Sequence, residues 1–293
     1  MPSFRENTCD KDLFSVSFVI PVYNRKFLLL RSIESLISFS QCFAIEIVIV
    51  NDASTDGLCE AYLKENLTPE LLPFVRYITL PINMGVTFAK NLGAFNANYY
   101  WLVFLDSDDT LLGSFCAQFL HLLKKGLDVD GFFFRCISLK SENLIGSIIP
   151  SHFLCFDELI GYSTHGECLP VISRQTFVLY PYDHSLRGCE GWAYLTMLAS
   201  GKKLWLSDLV ARKYDDVSNE RLSNLSNRAR RAHLISFYYL RSFFLSWKTL
   251  NYPSFVLVLK SIFNLFLYFS FCLYDLSFRL IYVFARSLSS LRS

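Results

Sequence analysis

The chain contains no Cys-x-x-Cys pair. Its nine cysteines are scattered over 293 residues, a pattern that argues against a disulfide framework or a zinc site and for a reducing cytosol. No Gly-x-Gly-x-x-Gly follows any apolar run, and no P-loop is present, so a dinucleotide fingerprint and a Walker-type phosphate cradle are both excluded. Met1 to Leu13 carries Arg5, Glu6, Asp10, Lys11 and Asp12 with no apolar core, which is not the pattern of a signal peptide. Acidic residues are scarce near the C-terminus. From Arg221 onward stand ten of the 28 basic residues and one of the 26 acidic ones, Asp275. The body is therefore acidic and the tail basic, an asymmetry that points to a polyanionic surface as the tail's partner.

What is present is apolar: 52% of residues are hydrophobic and 16% aromatic. This length fits one large α/β domain with an extension and buries a sizeable core. Phe14 to Val22 predicts a first buried strand, ended by Pro21, and Phe27 to Phe39 a helix. Glu46 to Val50 predicts a second strand. Ser54 or Thr55 then caps a helix running to about Lys64. Val75 to Leu80 predicts a third strand, and Asn83-Met84-Gly85 opens a helix through Ala89-Lys90-Asn91. Tyr99 to Leu105 predicts a fourth strand, Leu111 to Lys125 a helix, and Gly131 to Leu139 a fifth strand. Asn143 to Pro150 pairs back on that strand, and Ser151 to Leu169 reads as an irregular loop region. Order resumes at Val171, with a helical pattern within Leu186 to Ala199 and a strand from Leu204 to Leu209 that ends near Tyr214. The alternation β-α-β-α-β-α-β-α implies a mostly parallel, doubly wound sheet.

Polar clusters follow the first, second and fourth strands: Tyr23-Asn24-Arg25, Asn51-Asp52, and Asp106-Ser107-Asp108-Asp109. All three lie at strand C-termini, where open α/β sheets bind ligands. Three carboxylates within four positions repel one another unless a cation lies among them. A hard divalent ion suits such a site, because Mg²⁺ takes one or two protein carboxylates plus substrate phosphates. The competing reading is an acidic turn with Asp109 or Thr110 capping the next helix.

Four motifs stand in an order and spacing that resemble family 2 glycosyltransferases with the GT-A fold. They are Phe18 to Arg25, Glu46 to Gly57, Asn83 to Gly93, and Phe104 to Asp109. The resemblance is strong over residues 15–112, weakens to about Tyr214 and stops there. It implies a GT-A domain over 1–215; the composition of 216–293 makes that part a helical, membrane-associating extension. The resemblance also implies that Pro21, Tyr23, Arg25, Asp52, Lys90, Asp106 and Asp108 contact a nucleotide-sugar donor, with UDP as the nucleotide. Tyr23 would flank the base, Asp52 would bond it, and Asp106 would reach the ribose or lie behind the metal. Asp108 would ligate Mn²⁺ or Mg²⁺. Lys90 stands where the family has arginine, keeping the charge without the planar fork. The family's Glu-Asp before a helix is matched by Glu190-Gly191, so the expected base position holds glycine. Glu190 is then the candidate base, re-aimed by a positive φ at Gly191, with His165, Glu167 and Asp183 as alternatives.

Ala232 to Ser293 is unlike the body. Ser261 to Tyr274 is apolar all round, yet the uncharged interval between Lys260 and Asp275 is shorter than the roughly 20 residues a helical span needs. Broken helices lying in the interface with arginines toward anionic headgroups fit better; a helical cap on the domain is the competing reading. No nucleic-acid recognition module is visible. The implied protein is a metal-dependent, inverting enzyme that glycosylates a lipid-linked oligosaccharide at the cytoplasmic face of the inner membrane, in O-antigen or capsule assembly. A sugar nucleotidyltransferase would need a Gly-rich loop where Pro21 to Arg25 stands. A non-catalytic nucleotide-sugar-binding or scaffold protein has Gly191 in its favour and the intact acidic motif against it.

Overall fold

The computed structural model describes residues 14–160, 166–215, 231–250, 257–260 and 262–270. Among these, nine strands form one sheet. Strands β1 (Ser15–Val22) and β2 (Ala44–Asn51) are almost wholly buried, as runs rich in Val and Ile are when helices cover both faces. They pair in parallel from Ser15 opposite Ala44 to Val22 opposite Asn51. β3 (Val75–Thr79) continues on the far side of β2, and β4 (Trp101–Phe104) on the far side of β1, both parallel. β8 (Cys168–Ser173) then runs antiparallel between β4 and β6 (Gly131–Ser138). β9 (Leu204–Tyr214) lies parallel to β6. Two short strands, β5 (Thr110–Leu111) and β7 (His152–Phe153), pair with β9.

Strand alternation sorts the core onto two faces. One holds Phe18, Ile20, Ile47, Trp101, Val103, Phe132 and Phe134 beneath Phe39, Phe115 and Phe119. The other holds Val19, Leu102, Phe104, Phe133 and Ile172, packed with Phe177, Tyr182 and Tyr194. The helices include α1 (Lys26–Glu34), α2 (Ile37–Ser40), α3 (Glu60–Asn66), α4 (Val86–Asn96), α5 (Gly113–Lys124), α6 (Phe156–Ile160), α7 (Arg174–Leu179), α8 (Gly191–Ala199) and α9 (Ala232–Leu250). α4 lies so close on the sheet that a Cβ at Gly93 would stand 2.4 Å from Val19 Cγ1.

Several expectations need correction. The helix over 27–39 is broken into α1 and α2. Ser35 Oγ donates to Ser32 O and accepts from Leu111 N, so a serine side chain competes with the helix ladder. Ser54 and Thr55 cap nothing. They are bound to Asn24, and α3 begins later with Cys59 Sγ accepting from Tyr62 N. Asp109 and Thr110 are not caps either, since α5 starts after Leu112 and Thr110 opens β5. The 151–169 region is partly ordered, holding β7, α6 and the start of β8. The pairing back of 143–150 reduces to one bridge, Ile137 with Leu144.

Two compact units are distinguished. The first comprises Met1–His184 and Ala193–Val217, and the second Ser185–Trp192 and Ser218–Ser293. Within the second, α9 presents Phe237, Leu240, Phe244 and Trp247 to solvent, a spacing of three, four and three that places them on one helix face. No described helix is long and apolar enough to cross a membrane.

Candidate functional site

The parallel strands β1, β2 and β4 deliver their polar ends to one edge of the first unit. Past Val22 the chain turns through Asn24 at φ 53°. Asn24 N donates to Ser54 Oγ at 3.0 Å, and Thr55 N donates to Asn24 Oδ1 at 2.7 Å. Lys26 N donates to Asp56 Oδ2 at 2.9 Å. The loops after β1 and β2 are thereby fastened to one another. Tyr23, with 48% of its surface exposed, presents an open aromatic face of the kind a base stacks on. Pro21 is buried within β1, opposite Val50, and the strand continues one residue beyond it.

Asp52 is buried. Its carboxylate accepts from Met84 N at 2.6 Å and Gly85 N at 2.8 Å, which pins the turn into α4. Asn51 points inward, with Tyr77 and Leu58 O as partners. The Ala-Lys-Asn motif on α4 divides its work by position. Ala89 packs on the sheet. Asn91 clamps the backbone of Tyr182 in both directions, at 2.7 and 3.1 Å. Lys90 Nζ lies 2.9 Å from Asp106 Oδ1.

The acidic turn is closed by Asp109 N donating to Asp106 O at 3.0 Å. Each carboxylate faces a different cation. Asp106 has Lys90, Asp108 has Arg25, and Asp109 has Arg212 at 2.8 Å. Arg31 donates to the Asp108 carbonyl and pairs with Asp215 at 3.3 Å. Arg212 also holds Glu167 at 3.1 Å, and Asp109 Oδ1 accepts from Asp215 N. Burial pushes the Asp106 carboxyl up, but Lys90 and then Arg212 pull it below the usual range. Burial and the Asp106 charge push Asp108 up, and Arg25 offsets only part of this. Asp109 is pushed up to about 7 by burial, against the pull of Arg212.

These pairs join four cations to five carboxylates, counting Glu167. The excess of negative charge, and the upward push on Asp108, fit an incoming divalent cation. Among the described residues no three His, Cys, Asp or Glu side chains gather as a closed metal cage, so Asp108 would hold the ion together with phosphate oxygens, the mode usual for Mg²⁺.

Arg31, Arg212 and Asp215 are not singled out by the sequence, and Asp109 enters there only as part of the acidic cluster and as a candidate helix cap. Arg212 alone carried a signal, an arginine inside an otherwise strand-like run. It is 2% exposed and braces the acidic turn from β9. Arg212→Ala is expected to destabilise the protein by about 3–5 kcal/mol, because Asp109 would remain buried without its counter-ion. Urea unfolding at unchanged m-value measures this. Adding Asp109→Asn to Arg212→Ala should recover part of the loss, and no recovery would contradict the unpaired-charge account.

Glu190 belongs to the second unit, immediately before α8. It is partly buried. Gly191 does not take a positive φ; in this stretch that falls on Gly188, at 77°. Gly191 starts α8, and a Cβ there would sit 3.4 Å from the Tyr238 hydroxyl, so a side chain fits and the glycine is not sterically required. Of the other base candidates, Glu167 is engaged by Arg212, Asp183 follows the clamped Tyr182, and His165 lies outside the described residues.

Residues 17–160 match the model of "Glycosyl transferase family 2". The succinoglycan biosynthesis protein ExoO of Rhizobium meliloti is 36% identical over 101 residues, covering 33% of this chain and 26% of that protein. The minor teichoic acid biosynthesis protein GgaA of Bacillus subtilis is 34% identical over 100 residues, covering 32% and 21%. The chain thus matches only about a quarter or less of the length of these relatives. Among solved structures, S. aureus TarS 1-349 in complex with UDP-GlcNAc superposes with a TM-score of 0.61 at 15% identity, covering 81% of this chain and 72% of that one. The mannosyltransferase PcManGT from Pyrobaculum calidifontis, in complex with GDP-Man and Mn²⁺, gives 0.57 at 16% identity, covering 85% and 73%. These structural likenesses show the GT-A fold, and residues 17–160 form a domain of glycosyl transferase family 2.

Proposed function

We propose that the protein is an inverting, metal-dependent glycosyltransferase that moves a sugar from a nucleotide-sugar donor, a UDP-sugar, to a hydroxyl of a lipid-linked oligosaccharide. The observation that carries the reading is the convergence of Arg25, Lys90, Asp106 and Asp108 at the strand ends, beside the exposed ring of Tyr23. On this reading Tyr23 stacks on the base and Asp52 bonds it with the lone pairs that Met84 and Gly85 leave over. Pro21 stands one residue before the end of β1, at this edge. Lys90 fixes Asp106, which faces the ribose, and Arg25 stands beside Asp108 for the diphosphate. Asp108 would hold a Mg²⁺ or Mn²⁺ ion, which would supply Lewis-acid stabilisation to the departing diphosphate. Glu190 takes the acceptor proton as general base while the acceptor oxygen bonds the anomeric carbon on the face opposite the breaking bond to the diphosphate, a single displacement that inverts that carbon.

The acceptor and location rest on the second unit. The exposed row Phe237, Leu240, Phe244 and Trp247, with a basic tail, suits an interface helix at an anionic membrane. This supports peripheral attachment to the cytoplasmic face of the inner membrane and a role in surface-polysaccharide assembly, O-antigen or capsule. A cut after Tyr214 would not test this cleanly, because it removes Asp215 from the Arg31 pair. Phe244→Glu with Trp247→Glu is expected to reduce co-sedimentation with anionic liposomes severalfold without loss of folding, and unchanged binding would contradict the interfacial reading.

Gly191 favours a second reading, a nucleotide-sugar-binding protein that has lost its base. Release of UDP from a panel of UDP-sugars, with Mn²⁺ and with or without lipid extract, separates the two. Acceptor-stimulated release supports the enzyme, and donor binding with no release supports the binding protein.

A further inference from the structure

We infer that Arg25 is the resident counter-ion of Asp108 and exchanges places with the metal when a nucleoside diphosphate arrives, so that metal and nucleotide bind cooperatively. This rests on the metal-dependent reading above. The Arg25 guanidinium pairs directly with Asp108 Oδ2, and both side chains are largely buried, at 23% and 13% exposed. The neighbouring cations have other duties: Lys90 is on Asp106, Arg212 is on Asp109 and Glu167, and Arg31 is on Asp215 and a backbone carbonyl. A divalent ion that ligates Asp108 competes with the Arg25 guanidinium for one carboxylate, and the two cations repel each other there.

The Arg25 backbone is fixed by the bonds of its neighbours Asn24 and Lys26 to the loop after β2. The exchange is therefore a side-chain movement. A displaced guanidinium needs a new anion, and its planar fork matches phosphate oxygens. Metal arriving alone strips Arg25 of its partner and offers nothing in return. Metal arriving with a diphosphate supplies that partner. The coupling is reciprocal, so nucleotide tightens metal binding by the same factor that metal tightens nucleotide binding.

The test titrates Mn²⁺ into the full chain, following free Mn²⁺ by electron paramagnetic resonance, without nucleotide and with UDP or, in parallel, GDP. The wild-type protein should bind Mn²⁺ weakly alone and about tenfold or more tightly with the matching nucleotide. Arg25→Gln should bind Mn²⁺ alone about tenfold more tightly than wild type, with the coupling reduced by a similar factor. Arg25→Lys keeps the charge and should retain weak binding of Mn²⁺ alone. Arg25→Met serves as a second uncharged variant should Arg25→Gln not fold, as judged by circular dichroism. If a folded uncharged variant binds Mn²⁺ alone no more tightly than wild type, while Mn²⁺ and nucleotide still bind together, the exchange is wrong and the metal-dependent reading stands. If wild type binds no Mn²⁺ with either nucleotide, both fall.

Discussion

Asp108→Ala is expected to abolish sugar transfer and to make donor binding indifferent to Mn²⁺. Departure of the sugar leaves developing charge on the diphosphate, and a fixed group aimed at such charge is worth on the order of 10²–10³ in kcat. Loss of the anchoring carboxylate removes the metal's hold at the diphosphate and leaves Arg25 without its resting partner. The released guanidinium remains near the diphosphate, so donor affinity in EDTA should persist in the variant even as turnover is lost. Asp108→Asn keeps the shape and should behave alike, which separates charge from packing. Calorimetric donor binding with and without Mn²⁺, alongside initial rates, checks both halves. Full activity of the wild-type protein in EDTA would overturn the claim.

Glu190→Gln is expected to leave donor affinity intact and to lower kcat by roughly 10²–10⁴, the usual worth of general-base catalysis. The acceptor hydroxyl needs a carboxylate, and Gly191 supplies none at the position where the family resemblance expects one. Glu190 is the nearest acid in sequence. Its rival Glu167 is engaged in the ion pair with Arg212. Glutamine keeps the length and removes the basicity, so donor Kd measured apart from kcat distinguishes lost chemistry from lost folding. Near-normal kcat would move the base elsewhere, with Asp183 and His165 next. Gly191→Asp is a useful companion, because a Cβ there meets only ordinary contact with the Tyr238 hydroxyl. Higher activity in that variant would identify the natural chain as a partly disabled member of the family.

The parallel half of the sheet was legible from the sequence because β1, β2 and β4 are buried on both faces and the more exposed β3 is still rich in β-forming residues. Residues 14–22, 46–50 and 75–80 read as continuous apolar or β-rich runs, and they appear as β1, β2 and β3 within two residues of the expected bounds. The fourth strand was drawn too long. Tyr99 and Tyr100 lie before β4, their backbone N–H groups donating to Ser17 and Ser15 hydroxyls rather than to a strand ladder. Helix starts were misplaced where polar side chains bond across loops instead of to the following turn. Asn24, Ser54 and Thr55 have the chemistry of caps, yet their partners stand about 30 residues away.

The sequence by itself determined that carboxylates would stand at the end of a buried strand, since an apolar run that stops at Asp106 leaves them nowhere else. It also determined that polar ends of parallel strands would share one edge, because a parallel sheet points all its C-termini the same way. Tertiary structure alone decided which cation each carboxylate would meet. Arg25, Lys90 and Arg212 come from α1's approach, from α4 and from β9, and their distances to Asp108, Asp106 and Asp109 depend on how closely those elements pack. That closeness is set by contacts such as Gly93 against Val19, which no local pattern encodes. Charge pairing across many residues is a property of packed elements, and so the electrostatic state of the acidic turn had to await the fold.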